Sequence, residues 1–193
     1  VNPPLPNMVM KHISELTDHP LNIIIYDKPN DNRDKLRASL IKSKNKTGIA
    51  NKEPCKIDSN GVVYSGHRRK WASEEDETGV LGYLKCEYID HTFDPESLND
   101  PTLEQEEADL LDEYNEPDII RSQTSWPVVL RKYNYMNNLN YKKTKKYFSA
   151  KERNIWCAEK CGFQPDPFKK MVEIYDVGRN DLIDKVVQGY SLP

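Results

Sequence analysis

The sequence predicts an α+β protein, a small α/β domain followed by an all-helical domain, and three observations carry that reading. Between Leu21 and Ile89, short β-branched and aromatic runs alternate with segments of helical spacing. From residue 121 onward the chain reads as helical throughout. The charge also changes sign along the chain: residues 1–120 carry 14 Lys/Arg against 24 Asp/Glu, and residues 121–193 carry 14 against 7. Such asymmetry suggests a basic module that meets an anionic polymer and an acidic module with another task.

In order, residues 1–20 are proline-punctuated and read as an extended arm, with a helical turn around Met8 to Leu16. The α/β domain spans 21–92. It opens on a strand, Leu21 to Tyr26, closed by the turn cluster Lys28-Pro29-Asn30-Asp31-Asn32. Asp34 to Lys44 has Leu36, Leu40 and Ile41 at helical spacing, with Asn32 or Asp34 as cap. Glu53 to Ile57 and Val62 to Tyr64 flank Asp58-Ser59-Asn60-Gly61, which reads as a hairpin. A helix follows Gly66 and ends before Gly79, and Tyr83 to Ile89 alternates as a last strand. Strand, helix, hairpin, helix, strand is the order of a small layered α/β fold.

Residues 93–120 form an acidic insertion and linker helix. From Phe93 to Asp118 there are eleven acidic residues and no Lys or Arg, and Leu103 to Tyr114 reads as an exposed acidic helix. It is either a solvated linker or a surface that faces a protein partner or competes with DNA. In 121–193, Ser125-Trp126-Pro127 opens a helix through Leu139, and Ser149-Ala150-Lys151-Glu152 is a capping box. Cys161-Gly162-Phe163 is a turn before a helix starting at Asp166-Pro167, and Asn180 caps a last one, stopped by Gly189. Two short helices about a glycine turn have the pattern of a helix-turn-helix, with an ordinary helical bundle as the alternative.

At 193 residues, 37% hydrophobic and 31% charged, the chain has material for one to two domains. No apolar run approaches the roughly 20 residues that cross a bilayer, so no membrane partner is expected and the cytoplasm is the expected location. Cys55 and Cys86 fall in predicted strands. Cys157 and Cys161 lack a second pair or a nearby His, so no metal site is expected.

Chemistry concentrates in Gly61 to Ala72. A short strand ends at Ser65-Gly66 and a helix opens on His67-Arg68-Arg69. Glycine allows close backbone approach, and helix N-terminal amides backed by cations hold anions such as phosphate. In the helical part, Tyr133, Tyr135, Tyr141 and Tyr147 interleave with Arg131, Lys132, Lys142, Lys143, Lys145 and Lys146. The lysines 142, 143, 145 and 146 are candidate DNA-backbone contacts. If the helix-turn-helix forms, its second helix offers Gln164, Asp166, Lys169, Lys170 and Glu173 to the groove while Phe168, Met171, Val172 and Tyr175 pack inward.

With both halves in view, residues 21–189 resemble the ParB/sulfiredoxin-like proteins of the ParB type. The first box of that family matches Leu36-Arg37-Ala38-Ser39-Leu40, Gly48-Ile49 and Glu53-Pro54-Cys55-Lys56-Ile57. The second, Gly-x-Arg-Arg, matches Gly66-His67-Arg68-Arg69 with Trp71-Ala72. The third departs, because Glu113-Tyr114-Asn115 inserts a tyrosine and the next arginine is Arg121. Val187-Gln188-Gly189-Tyr190-Ser191-Leu192 is similar to the family's C-terminal close.

The resemblance implies a nucleotide- or phosphate-binding α/β domain followed by a DNA-binding helix-turn-helix, of partition or transcription-regulator type. It implies Gly48, Ser65, Gly66, His67, Arg68, Arg69 and Asn115 as phosphate or nucleotide ligands, and CTP or ATP as the nucleotide, with Mg2+ if it is hydrolysed. His67 and Glu113 are the catalytic candidates, His67 as a proton carrier or only a turn residue. A homodimer is a further expected partner. Two other classes stay open. One is a ParB-like enzyme, a nucleoside triphosphatase, nuclease or phosphotransferase. The other is a non-catalytic protein of a phage, plasmid or other mobile element that binds a host protein.

Overall fold

The computed structural model describes residues 7–121, 126–160 and 164–188. The elements are β1 (Met8–His12), β2 (Thr17–Asp18), α1 (Pro20–Tyr26), α2 (Asp34–Thr47), β3 (Cys55–Ile57), β4 (Val62–Ser65), α3 (His67–Glu74) and β5 (Tyr83–Tyr88). They continue as α4 (Pro101–Arg121), α5 (Trp126–Thr144), α6 (Ala150–Lys160), α7 (Pro165–Asp176) and α8 (Asn180–Val187). The fold is α+β, and the chain divides into two units. Val1–Leu98 with Ala108–Asn115 is the sheet unit; Asn99–Glu107 with Glu116–Pro193 is the helical unit.

In the sheet unit the strands run in the order β1-β5-β3-β4-β2. β1 is antiparallel to β5, β3 antiparallel to β4, and the β3–β5 and β2–β4 pairs are parallel. One face carries Cys55, Ile57, Val63, Leu84 and Cys86, covered by Leu40 of α2 and Ala72 of α3. Alternation sends Tyr64 to the other face, where its ring meets His19 at 5.0 Å and Tyr114 at 6.0 Å.

The β3–β4 hairpin forms as the sequence predicts. Buried Asp58 ties it, accepting from the Asn60 and Val62 amides through Oδ1 and from the Phe93 amide through Oδ2. Gly61 sits at φ +83°, and a Cβ there would lie 2.3 Å from the Glu15 carbonyl oxygen. The predicted helices over α2 and α3 and the strand over β5 are present.

Three expectations are corrected. The stretch Leu21 to Tyr26 is helix α1, not a strand. Its buried positions, Leu21, Asn22 and Ile25, have helical spacing, while Ile23 and Ile24 stay exposed. His19 Nδ1 accepts from the Leu21 amide and Pro20 occupies the first turn, so the start is built for a helix. Residues 7–20 are not simply an arm: Met8–His12 is strand β1, paired along its length with β5, and the helical turn expected around Met8 to Leu16 is confined to a 3-10 turn at Ile13–Glu15. The acidic helix is longer than expected and not wholly exposed: Glu104, Glu107, Ala108, Leu111, Asp112 and Asn115 of α4 are buried, one stripe at helical spacing.

The helical unit has its own core. Val129, Leu130 and Tyr133 of α5 pack with Trp156 and Cys157 of α6, Phe168, Met171 and Val172 of α7, and Ile183 of α8. The Tyr133 ring meets Trp156 and Phe168 edge-on at 5.3 Å. The Ser149 capping box forms: the Glu152 amide donates to Ser149 Oγ, and the Ser149 amide donates to Glu152 Oε2 at 2.8 Å. Helix α5 runs past the predicted end at Leu139 to Thr144, and Phe168, Met171 and Val172 of α7 face inward as predicted. Ser125, the turn Cys161-Gly162-Phe163 and the close from Gly189 to Leu192 lie outside the described residues.

Candidate functional site

The predicted phosphate turn lies where β4 passes into α3. Ser65 ends the strand, Gly66 takes φ +89°, and α3 begins at His67. A Cβ on Gly66 would stand 2.6 Å from Cys55 Sγ, so the backbone there runs against β3. No side chain caps α3 and its first turn holds no acidic residue, which leaves the amide end of the helix to other acceptors.

Behind the turn, α3 is anchored through Asp18 of β2. Asp18 accepts from Lys28 Nζ at 2.6 Å, Lys70 Nζ at 2.9 Å and Trp71 Nε1 at 2.8 Å. Burial pushes the Asp18 carboxyl up, and its three donors outweigh that and hold it below the ordinary range. Lys70, buried, also pairs with Glu74.

The two arginines diverge instead of converging. Arg68 donates through Nε to Asp31 Oδ2 at 2.8 Å and through Nη2 to the Asn32 carbonyl at 3.2 Å. Arg69 donates to the Glu53 carbonyl at 3.3 Å and to Glu53 Oε2 at 3.4 Å. Each guanidinium already has a carboxylate, a consequence of Asp31 and Glu53 standing in the loops on either side.

His67 is placed behind the turn, not on it. It is buried between the rings of Tyr26, 4.1 Å away, and Trp71, 4.8 Å away, and neither ring nitrogen has a hydrogen-bond partner. Burial, then the Arg68 charge, lowers its pKa to about 3, so the imidazole is neutral. Gly48 closes α2 at φ +77° with its carbonyl accepting from Lys44 Nζ.

Asn115 does come to the turn. Its side-chain amide donates at 2.8 Å to the Tyr64 carbonyl, two residues before Gly66. Glu113 is exposed on α4. The sequence reading missed Asn22, whose amide donates to the Val63 carbonyl at 3.0 Å and the Tyr64 carbonyl at 3.3 Å. A lone amide inside the apolar run Leu21 to Tyr26 was the available signal. The carbonyl oxygens of Asn22 and Asn115 are both buried without a donor, so two unmet acceptors flank the strand end that leads into the turn.

In the helical unit, buried Glu104 accepts from Tyr135 and from Lys142 Nζ at 2.9 Å, so Lys142 is partly spent on an internal pair. Lys143, Lys145 and Lys146 are exposed. Gln164, Lys169 and Lys170 are exposed at the start of α7, with Lys169 3.8 Å from Glu173.

Comparison with solved structures bears on this arrangement. The C2221 crystal form of a Pnob8-like ParB-N domain superposes with a TM-score of 0.58 at 18% identity, covering 96% of this chain and 75% of that one. The chain has a ParB-N fold. At that identity the likeness speaks for the fold alone. No family model matches the sequence, and no curated protein matches it. Among the described residues of this ParB-N fold, no helix is long and apolar enough to cross a membrane.

Proposed function

We propose that the chain is a ParB-like DNA-binding protein whose sheet unit takes the phosphates of a nucleotide at the start of α3, and whose helical unit holds DNA. The observation that carries the first half is the uncapped helix N-terminus behind Gly66. Amides there point at an incoming anion, and no side chain competes for them. Arg68 is exposed, and its partner Asp31 is also held by Arg33, so the carboxylate keeps a cation when the Arg68 guanidinium turns to another anion. A phosphate that forks onto a guanidinium therefore displaces the carboxylate readily. CTP or ATP is the nucleotide that the ParB resemblance implies, and the oxygens of Asn22 and Asn115, closed to solvent, would meet its N–H groups only on a shift of the strand end. The second half is supported by the excess of Lys/Arg over Asp/Glu, 14 to 7, in residues 121–193 and by exposed lysines on α5 and α7.

The reading is one of binding: Glu113 is exposed, His67 is sealed and neutral, and neither is assigned a catalytic step. The test is thermal melting of the full chain with CTP, ATP or inorganic triphosphate, with and without magnesium. Ligand at a hundred times its Kd adds about 2.7 kcal/mol, a shift of several degrees. We expect one nucleotide to raise the melting temperature and Arg68→Ala to abolish the rise. No shift with any of them, or an undiminished shift in the variant, refutes the site.

A further inference from the structure

Helix α5 ends in a turn flanked by two tyrosines, Tyr141 and Tyr147, that belong to neither of the cores described above. Tyr141 and Tyr147 stack on each other, ring centroids 4.6 Å apart and planes within 17°. They nevertheless remain 42% and 56% exposed. One face of each ring is covered by its partner, so that much exposure means open outer faces. Lys143 and Lys146 are exposed beside them, with no carboxylate partner among the described residues.

The turn is held firmly. Asn140 Nδ2 donates to the Lys146 carbonyl at 2.8 Å, Thr144 Oγ1 donates to the Asn140 carbonyl at 2.9 Å, and the Phe148 amide donates to Asn137 Oδ1 at 2.7 Å. Lys145, at φ +61°, adopts a left-handed conformation that closes α5 through its amide on the Tyr141 carbonyl. The two ring planes are thus held together, and the turn fixes the backbone from which Lys143 and Lys146 project.

We infer that the Tyr141–Tyr147 stack, with Lys143 and Lys146, is a binding platform for single-stranded DNA. Open aromatic faces bordered by cations suit unpaired bases, because a base contributes a π-face to the ring and its phosphate a charge to the lysine. A duplex could use the lysines, but its base faces are already covered by their neighbours and would leave the tyrosines idle. Stacking on the rings does not itself separate DNA from RNA, so the strand is assigned as DNA from the DNA-binding reading of the helical unit, and the matching RNA is the arm of the test that checks that assignment. The inference goes beyond the duplex-binding reading and does not depend on a nucleotide at α3.

The test is fluorescence anisotropy of the full chain with a labelled 20-mer of dT, the matching RNA, and a blunt duplex. Wild-type protein binds the DNA strand more tightly than the RNA. Replacing both tyrosines, Tyr141→Leu with Tyr147→Leu, weakens binding to the DNA strand by about tenfold or more, as loss of a base stack does, and leaves duplex binding within twofold. The paired Tyr→Phe variant keeps the rings and retains affinity. A melting curve confirms that each variant is folded. The platform is overturned if wild type does not bind the strand at 50 mM salt, if RNA binds better, if the Phe variant fails alongside the Leu variant, or if duplex affinity falls equally. Strand binding that survives while no duplex is bound upholds the platform and removes the duplex reading instead.

Discussion

Two residues of the Gly-x-Arg-Arg turn act through what surrounds them, and both make predictions at the scale of a single side chain. His67 is neutral in the fold with a pKa near 3, against about 6.5 when unfolded. Between those values the unfolded chain binds a proton that the native one refuses. The stability tied to this residue is therefore full above pH 6.5 and is lost as pH falls toward 3. Because neither ring nitrogen has a partner, His67→Phe sacrifices no hydrogen bond. We expect equal or higher stability at pH 7.5 and a flatter acid limb in melting temperature down to pH 4. Curves that run parallel for the two proteins would contradict the assignment. Gly66→Ala should be severe, since it adds a Cβ at φ +89° that sits 2.6 Å from Cys55 Sγ and 3.2 Å from Cys55 Cα. Backbone strain and overpacking together predict a loss of roughly 2–4 kcal/mol in chemical denaturation. Adding Cys55→Ala should restore only part, because the new methyl still presses on the backbone of residue 55.

At the scale of elements, the motif with a local hydrogen-bond rule was the most legible. The capping box at Ser149 needs only residues three apart, and it is present in full. Ser149→Ala should cost about 1 kcal/mol by thermal or urea melting. The β3–β4 hairpin and the inward face of α7 were legible for the same reason, since an Asn-Gly turn and a 3.6 period are properties of neighbours. Leu21 to Tyr26 was not, because a short run of Ile carries no alternation with which to tell strand from helix. Pro20 after His19 held the information, as a first-turn proline behind a capping side chain. The burial of α4 escaped because its stripe includes Glu104, Glu107 and Asp112, and carboxylates are read as solvated until partners such as Tyr135 and Lys142 are known. The site divides in the same way. Gly66 and the helix start were visible in sequence, and Asn115 was visible through the resemblance. The carboxylates Asp31 and Glu53 that draw the arginines apart are 37 and 16 residues away from them, and no local pattern joins the pairs.

For the whole molecule, the proposal of DNA binding rests on how the charge is distributed and not on its net value. A balance of −3 argues against DNA, yet the acids concentrate in residues 1–120 and the excess base in 121–193. Exposed Lys143, Lys145 and Lys146, with Lys169 and Lys170 on α7, can meet phosphates, whereas Lys142 is drawn toward Glu104. If about five phosphates are neutralised, log affinity for duplex DNA falls with log salt at a slope near −4.5, roughly several hundredfold between 50 and 200 mM. Lys143→Ala should weaken all sequences alike and make that slope shallower by about one, because it removes one released counterion. Glu104→Gln should act in the opposite direction. Without its carboxylate charge, Lys142 is released from the internal pair to meet a phosphate, and the slope steepens by up to one. Anisotropy titrations at four salt concentrations read all three slopes. A flat wild-type line would mean that these lysines are a solvated face and that the helical unit serves another partner.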